Sequence, residues 1–122
     1  MYIIMVQGEI RKEMYMKYPI KYLVNPPSKK FEINDLEENF FNILYSKLPE
    51  KVNKRINLIR MSTGTLAVEC NGYCIGKIKL QGHKHDMQIL TSFNDSIVVY
   101  DNFIEHIDEW VKYINKYIIK EL

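Results

Sequence analysis

Residues 102–122 read NFIEHIDEWVKYINKYIIKEL, and this stretch decides how the chain folds. Its apolar side chains recur at steps of four and three residues, the spacing of one helix face: Phe103, Ile107, Trp110, Ile114 and Tyr117. Asn102 followed by Glu105 is typical of a capping box, in which both side chains bond to free amides at the helix start. The pattern predicts a C-terminal helix over residues 102–120. Its broad apolar face needs an apolar sheet to cover it.

The sixty residues before this helix supply the strands of such a sheet. Five segments with strand-like composition, separated by turn signals, cover residues 56–61, 65–70, 73–81, 87–92 and 97–100. The pair Asn71-Gly72 predicts a two-residue hairpin turn between two of them, with positive φ in the turn. These segments therefore predict an antiparallel β-meander.

A second helix is predicted over residues 35–48, after the capping-box pair Asn34 and Glu37 and before Pro49. Residues 49–55 form a short charged connector that can hold one helical turn. The first 24 residues either add strands to the sheet or form an arm, and we favour added strands. Together these elements predict one α+β domain over residues 1–122, a meander of four to five strands packed against two helices.

The composition indicates a globular protein, which we expect in the cytoplasm. Hydrophobic residues make up 47% of the chain and charged residues 26%. No apolar run approaches the roughly 18 residues that a membrane span requires, and no signal peptide is recognisable. Seventeen Ile, ten Asn and a single Ala indicate A- and T-rich codons, hence a low-GC bacterium or one of its phages or plasmids.

Four side chains of the types that bind zinc fall within sixteen residues: Cys70, Cys74, His83 and His85. Across the predicted hairpin, Cys74 lies opposite Glu69, the neighbour of Cys70, so the two cysteines point to opposite faces. The histidines follow at the far end of the next strand. We therefore expect no metal, no cofactor and no disulfide. A catalytic triad, a phosphate-binding loop and paired carboxylates are also missing, so an enzyme is the least supported class.

Positive charge concentrates in the middle of the chain, where residues 51–92 carry seven basic and two acidic side chains. A bulge at Gly76 would let Lys77 and Lys79 project together from one strand while the apolar residues around them face the core. The following loop extends this basic surface, which comprises Lys77, Lys79, His83, Lys84 and His85. Phosphate would be attracted to it, although lysines on an outward sheet face also serve to prevent edge pairing.

Tyrosine and methionine concentrate near the N-terminus. Both residue types are frequent in protein interfaces, because they offer large and adaptable contact area. The candidate partner contacts are Tyr15, Met16, Tyr18 and Tyr22. The alternative is a strand with one face in the core.

The function expected from these observations is that of a small, non-enzymatic binding protein. It would serve as an adaptor or inhibitor of a nucleic-acid-handling or defence system, as anti-CRISPR and other anti-defence proteins do. The expected partner is a protein that can itself bind nucleic acid, and self-association is a further possibility; no membrane partner is expected. Two alternatives remain: direct nucleic-acid binding through the basic surface, and binding of a small ligand between helix and sheet.

Overall fold

The computed structural model describes residues 19–22 and 31–119. This part contains one six-stranded sheet: β1 (Ile20–Tyr22), β2 (Ile56–Arg60), β3 (Leu66–Cys70), β4 (Tyr73–Lys79), β5 (Asp86–Leu90) and β6 (Ser96–Val99). Its helices are α1 (Asp35–Ser46), α2 (Glu50–Asn53) and α3 (Phe103–Tyr113), and α3 runs on into a π-helical turn (Ile114–Ile118). The predicted α+β class with a C-terminal helix is confirmed.

The strands lie in the sheet in chain order, from β1 at one edge to β6 at the other. β2 to β6 pair antiparallel, which is the predicted meander. β1 is parallel to β2, with Lys21 opposite Ile59, so residues 20–22 do join the sheet. Residues 1–18, 23 and 24, for which added strands were also expected, lie outside the described residues.

The hairpin between β3 and β4 has the predicted turn and the predicted bulge. Asn71 and Gly72 both have positive φ, 54° and 85°, as this kind of turn requires. Val68 pairs with Gly76 and the next pair joins Glu69 to Cys74, so Ile75 is the extra residue of the bulge. Because of it, the apolar side chains of β4 gather on the face covered by the helices, which we call the helix face. The opposite face is the outer face.

Trp110 joins α3 to the helix face and is completely buried. Its ring packs edge-on against Phe40 of α1 with 5.4 Å between centroids, and its Nε1 donates to the Gln88 carbonyl at 2.9 Å. Gly76 lies directly beneath the ring with φ 155°. A Cβ there would lie 2.5 Å from the Gln88 carbonyl oxygen and 2.9 Å from the indole, so only glycine fits.

The two predicted capping boxes had different outcomes. At α1 the Glu37 amide donates to Asn34 Oδ1 at 2.8 Å and the Asn34 amide donates to Glu37 Oε1 at 3.1 Å, as predicted. At α3 the prediction is wrong, since Asn102 is left-handed with φ 56° and makes no side-chain cap. An N-cap side chain reaches the helix amides from an extended backbone, and the tight reversal from β6 into α3 removes that geometry.

Candidate functional site

A fully buried ion pair lies at the start of α1. Arg60 and Glu37 have side-chain exposures of 1% and 0%. Arg60 donates to both carboxylate oxygens of Glu37, at 2.6 Å and 3.1 Å, and also to the Gly64 carbonyl at 2.9 Å. The bidentate geometry is that of a strong charge-assisted contact. It connects the first turn of α1 to the end of β2.

Neighbouring polar groups complete this buried network. The side chain of Gln81 donates to Glu37 Oε1 at 3.0 Å and to the Glu32 carbonyl at 2.8 Å. The side-chain Nδ2 of Asn34 donates to the Leu80 carbonyl at 3.0 Å. Both oxygens of the Glu37 carboxylate therefore accept hydrogen bonds from groups inside the protein, and neither charged side chain reaches solvent. We conclude that the pair joins α1 to β2 inside the fold. Arg60 is therefore not part of the basic surface.

The residues of the predicted basic surface lie on the outer face and in the loop that follows it. Lys77 and Lys79 project from the same side of β4, but Lys79 stands opposite Asp86 of β5. His83 and Lys84 are exposed in the loop. His85 is half-buried, with Nε2 2.9 Å from the Gly82 carbonyl. The five side chains do not share one face: Lys77 and Lys79 lie on the outer face, with an acidic group opposite Lys79, whereas the His85 ring lies 6.5 Å from that of Phe103 at the start of α3.

The residue types suited to zinc are not brought together. Cys70 is buried against α2, with Sγ 3.9 Å from the Val52 carbonyl, whereas Cys74 is exposed. Burial raises the pKa of the Cys70 thiol, against a smaller opposing effect of Arg55. In the described part of the chain, no group of three or more His, Cys, Asp or Glu side chains could hold a metal ion.

The most distinctive exposed feature is apolar and lies along the β6 side of the sheet. Seven large hydrophobic side chains are exposed among the described residues, and five of them lie there: Tyr73 39%, Phe93 57%, Ile97 51%, Val98 47% and Tyr100 73%. We call these five side chains the β6 margin. α3 packs over β4 and β5 and against α1, whereas Ile97 and Val98 of β6 keep about half of their surface exposed. Ile97 lies on the helix face and Val98 on the outer face, so the β6 margin exposes apolar side chains on both faces of this edge. Exposed apolar clusters are typical of binding sites.

Aromatic rings extend the β6 margin towards the C-terminal helix. Phe93, from the loop before β6, lies 4.9 Å from Tyr117 and 6.2 Å from both Tyr73 and Tyr113, measured between ring centroids. A groove of about 230 Å³ runs beside them between β5 and α3, with Lys112 and Lys116 on its helix side. A second depression, of about 100 Å³, lies between α1 and α3. Both are smaller than the ~300–1,000 Å³ typical of small-ligand pockets.

Of the candidate partner contacts, Tyr22 alone falls within the described residues. Its hydroxyl donates to the Phe31 carbonyl at 2.8 Å, and its side chain is half-buried. Tyr15, Met16 and Tyr18 lie outside the described residues, so their part in binding stays a prediction.

Sequence reasoning missed both the buried pair and the β6 margin. A signal for the first was present, because Ile56, Leu58 and Arg60 alternate on one side of β2 and Glu37 is the third residue of α1. For the second, the run Ser96–Val99 carries no charge between Asp95 and Asp101. Nothing in the sequence shows that this strand ends the sheet.

Residues 19–22 and 31–119 include no helix that is both long and apolar enough to span a membrane. No family model, curated protein or solved structure matches this chain.

Proposed function

We propose that this chain is a non-catalytic binding protein that docks on a protein partner through the β6 margin. The observation that carries the proposal is the concentration of exposed apolar side chains at one side of the sheet. Aromatic residues are enriched in the cores of protein interfaces, where they bury a large area at a small cost in conformational entropy. Phe93, Tyr73 and Tyr100 would supply such area.

The other features of the described residues support binding more than catalysis. The buried carboxylate of Glu37 accepts from Arg60 and Gln81, and Arg60 donates through both terminal nitrogens, although its Nε has no partner. The groove beside β5 and the depression between α1 and α3 are each small for a substrate or cofactor pocket. The groove beside the β6 margin presents Lys112 and Lys116, which can form the polar rim that surrounds a typical interface.

The test is a pull-down with the tagged chain from the lysate of a low-GC bacterium, with nuclease added and at high salt. A single protein retained under these conditions is the expected result, because apolar contacts resist salt whereas exposed charge pairs are screened. The variant Phe93→Ser/Tyr100→Ser should lose that protein.

The matched control is Leu36→Ser/Ile104→Ser, which changes the two exposed hydrophobic residues that lie away from the β6 margin. This variant should retain the partner. If instead the Phe93→Ser/Tyr100→Ser variant retains it, or if the control alone loses it, the β6 margin is not the binding surface.

The finer proposal is that the partner belongs to a nucleic-acid-handling or defence system and that the chain inhibits it or serves as its adaptor. It is supported by the residue composition, which indicates A- and T-rich codons, and by the alternation of acidic and basic segments along the chain. The retained protein would be identified, and its nuclease or nucleic-acid-binding activity measured with and without this chain. An unaffected activity in the presence of a saturating amount would contradict inhibition.

A second candidate function is direct nucleic-acid binding by the basic surface. It is favoured by the position of Lys77 and Lys79, which both project from the outer face of β4 after the bulge, and by the exposed His83 and Lys84 in the loop that follows. Affinity would fall steeply with salt, since each neutralised phosphate releases counterions. Replacing Lys77, Lys79 and Lys84 by Glu should abolish binding, and an unchanged affinity would rule this function out.

A further inference from the structure

The hydrogen-bond pattern of β6 shows which of its backbone groups are free for a partner. The Thr91 amide donates to the Asp95 carbonyl at 2.9 Å, so residues 91 and 95 form a hydrogen-bonded pair between β5 and β6. In an antiparallel ladder such pairs alternate with non-bonded ones. Ile97 therefore bonds to Ile89, and Val99 to Met87, in the observed register. The amide and carbonyl groups of Ser96 and Val98 point away from the sheet.

β6 is short, with four residues, but it lacks most of the other features that protect an edge strand. Natural edges carry lysine, proline, a bulge or a covering element. Ser96–Val99 reads Ser-Ile-Val-Val, pairs with β5 in an unbroken register, and is the last strand of the sheet that the structure describes. Ile97 is exposed on the helix face and Val98 on the outer face. Both faces of an added strand would therefore meet apolar side chains.

The charges at the two ends of β6 indicate which kind of strand would fit. Asp95 precedes β6 and Asp101 follows it closely, and both are exposed. A second copy paired antiparallel about Val98 would place Asp95 opposite Asp101 at both ends, and like charges across a strand pair are destabilising. Pairing about Ile97 would instead place Asp95 opposite Val99. Neither arrangement gives the carboxylates a cation, whereas a segment with basic ends does.

We propose that β6 receives an extended segment of a partner protein as an additional strand, through the outward amide and carbonyl groups of Ser96 and Val98. The segment has alternating apolar residues at its centre and Lys or Arg at both ends, facing Asp95 and Asp101. This docking mode rests on the proposed function and deepens it, because it defines the chemistry of the partner. The rings around Phe93 would contact the partner beyond the added strand.

The test is a titration of the ¹⁵N-labelled protein with a short peptide of alternating valine and threonine that carries two lysines at each end. At low salt we expect shifts of the Ser96 and Val98 amides and slower hydrogen exchange at both. The same peptide with glutamates in place of lysines should bind about five- to tenfold more weakly, since attraction at both ends becomes repulsion. Failure of the lysine peptide to shift these amides would overturn the proposal, and so would equal affinity for both peptides.

Val98→Pro provides a specific block, because proline removes an outward amide that β5 does not use. The matched control, Val98→Thr, keeps the amide and the β-branched shape. Val98→Pro should weaken peptide binding more than about tenfold, whereas Val98→Thr should bind nearly as well as the unchanged protein. If Val98→Pro does not fold, the protection of the two amides by the peptide in the unchanged protein decides the question.

The same variants separate this inference from the proposed function. A protein partner lost on Phe93→Ser/Tyr100→Ser but kept on Val98→Pro would leave the function standing and overturn strand addition. Light scattering after gel filtration tests whether a second copy of the chain occupies β6 instead of a partner protein. A dimer of the unchanged chain that Val98→Pro converts to monomer would mean that a second copy occupies β6, and the proposal would then be wrong.

Discussion

Removing one member of the buried Glu37–Arg60 pair should destabilise the protein much more than removing both. The changes are Glu37→Leu, Arg60→Met and the double variant, all of which retain apolar volume. In either single variant a charge remains in a site that excludes water, because the exposures of the two side chains are 0% and 1%. The free energy of unfolding should fall by about 3–5 kcal/mol in each.

The double variant leaves no buried charge. It still leaves the backbone amide of Asn34 without its acceptor on Glu37 and the Gly64 carbonyl without its donor on Arg60. Gln81 keeps its bond to the Glu32 carbonyl. Unsatisfied groups of this kind cost about 1–3 kcal/mol, and better apolar packing offsets part of that. We expect a total loss of about 0–3 kcal/mol, so the coupling energy between the two positions should be about 3 kcal/mol or more.

Urea unfolding provides the measurement, followed by circular dichroism and by the fluorescence of Trp110, the single tryptophan. The dependence on urea should be the same in all four proteins, which shows that the variants unfold from a comparable native state. Losses that add within about 0.5 kcal/mol would refute the reasoning, since they would mean that the two side chains do not interact.

Three other predictions concern the packing of α3 and the two thiols. Gly76→Ala should lower the free energy of unfolding by at least about 2 kcal/mol, because its Cβ would overlap the Gln88 carbonyl and the indole; a loss below about 0.5 kcal/mol in urea would contradict the bulge geometry. Trp110→Ala should cost about 3–5 kcal/mol in the same assay, and a loss below about 1 kcal/mol would mean that α3 docks differently. With Ellman's reagent, Cys74 should react at once and Cys70 only on unfolding, because Cys70 is buried and burial raises its pKa; Cys74→Ser should remove the fast phase, and two fast thiols would contradict the burial of Cys70.

The features that the sequence by itself determined are those with a local cause. The helix around Trp110 follows from apolar spacing, the turn at Asn71-Gly72 from residues that accept positive φ, and the α1 capping box from two side chains three residues apart. The opposite orientation of Cys70 and Cys74 followed in turn from that hairpin, because side chains alternate along a strand. In each case the residues that decide the structure lie within a few positions of one another.

Tertiary structure alone decided the rest, because it depends on residues far apart in the chain. The buried position of Arg60 needs a carboxylate from α1, the left-handed conformation of Asn102 follows from where α3 must dock, and β1 pairs parallel with a strand more than thirty residues away. The free edge of β6 has the same kind of origin. α3 packs on β4 and β5. Residues 96–98 stay exposed, although the sequence of this strand resembles that of any other strand.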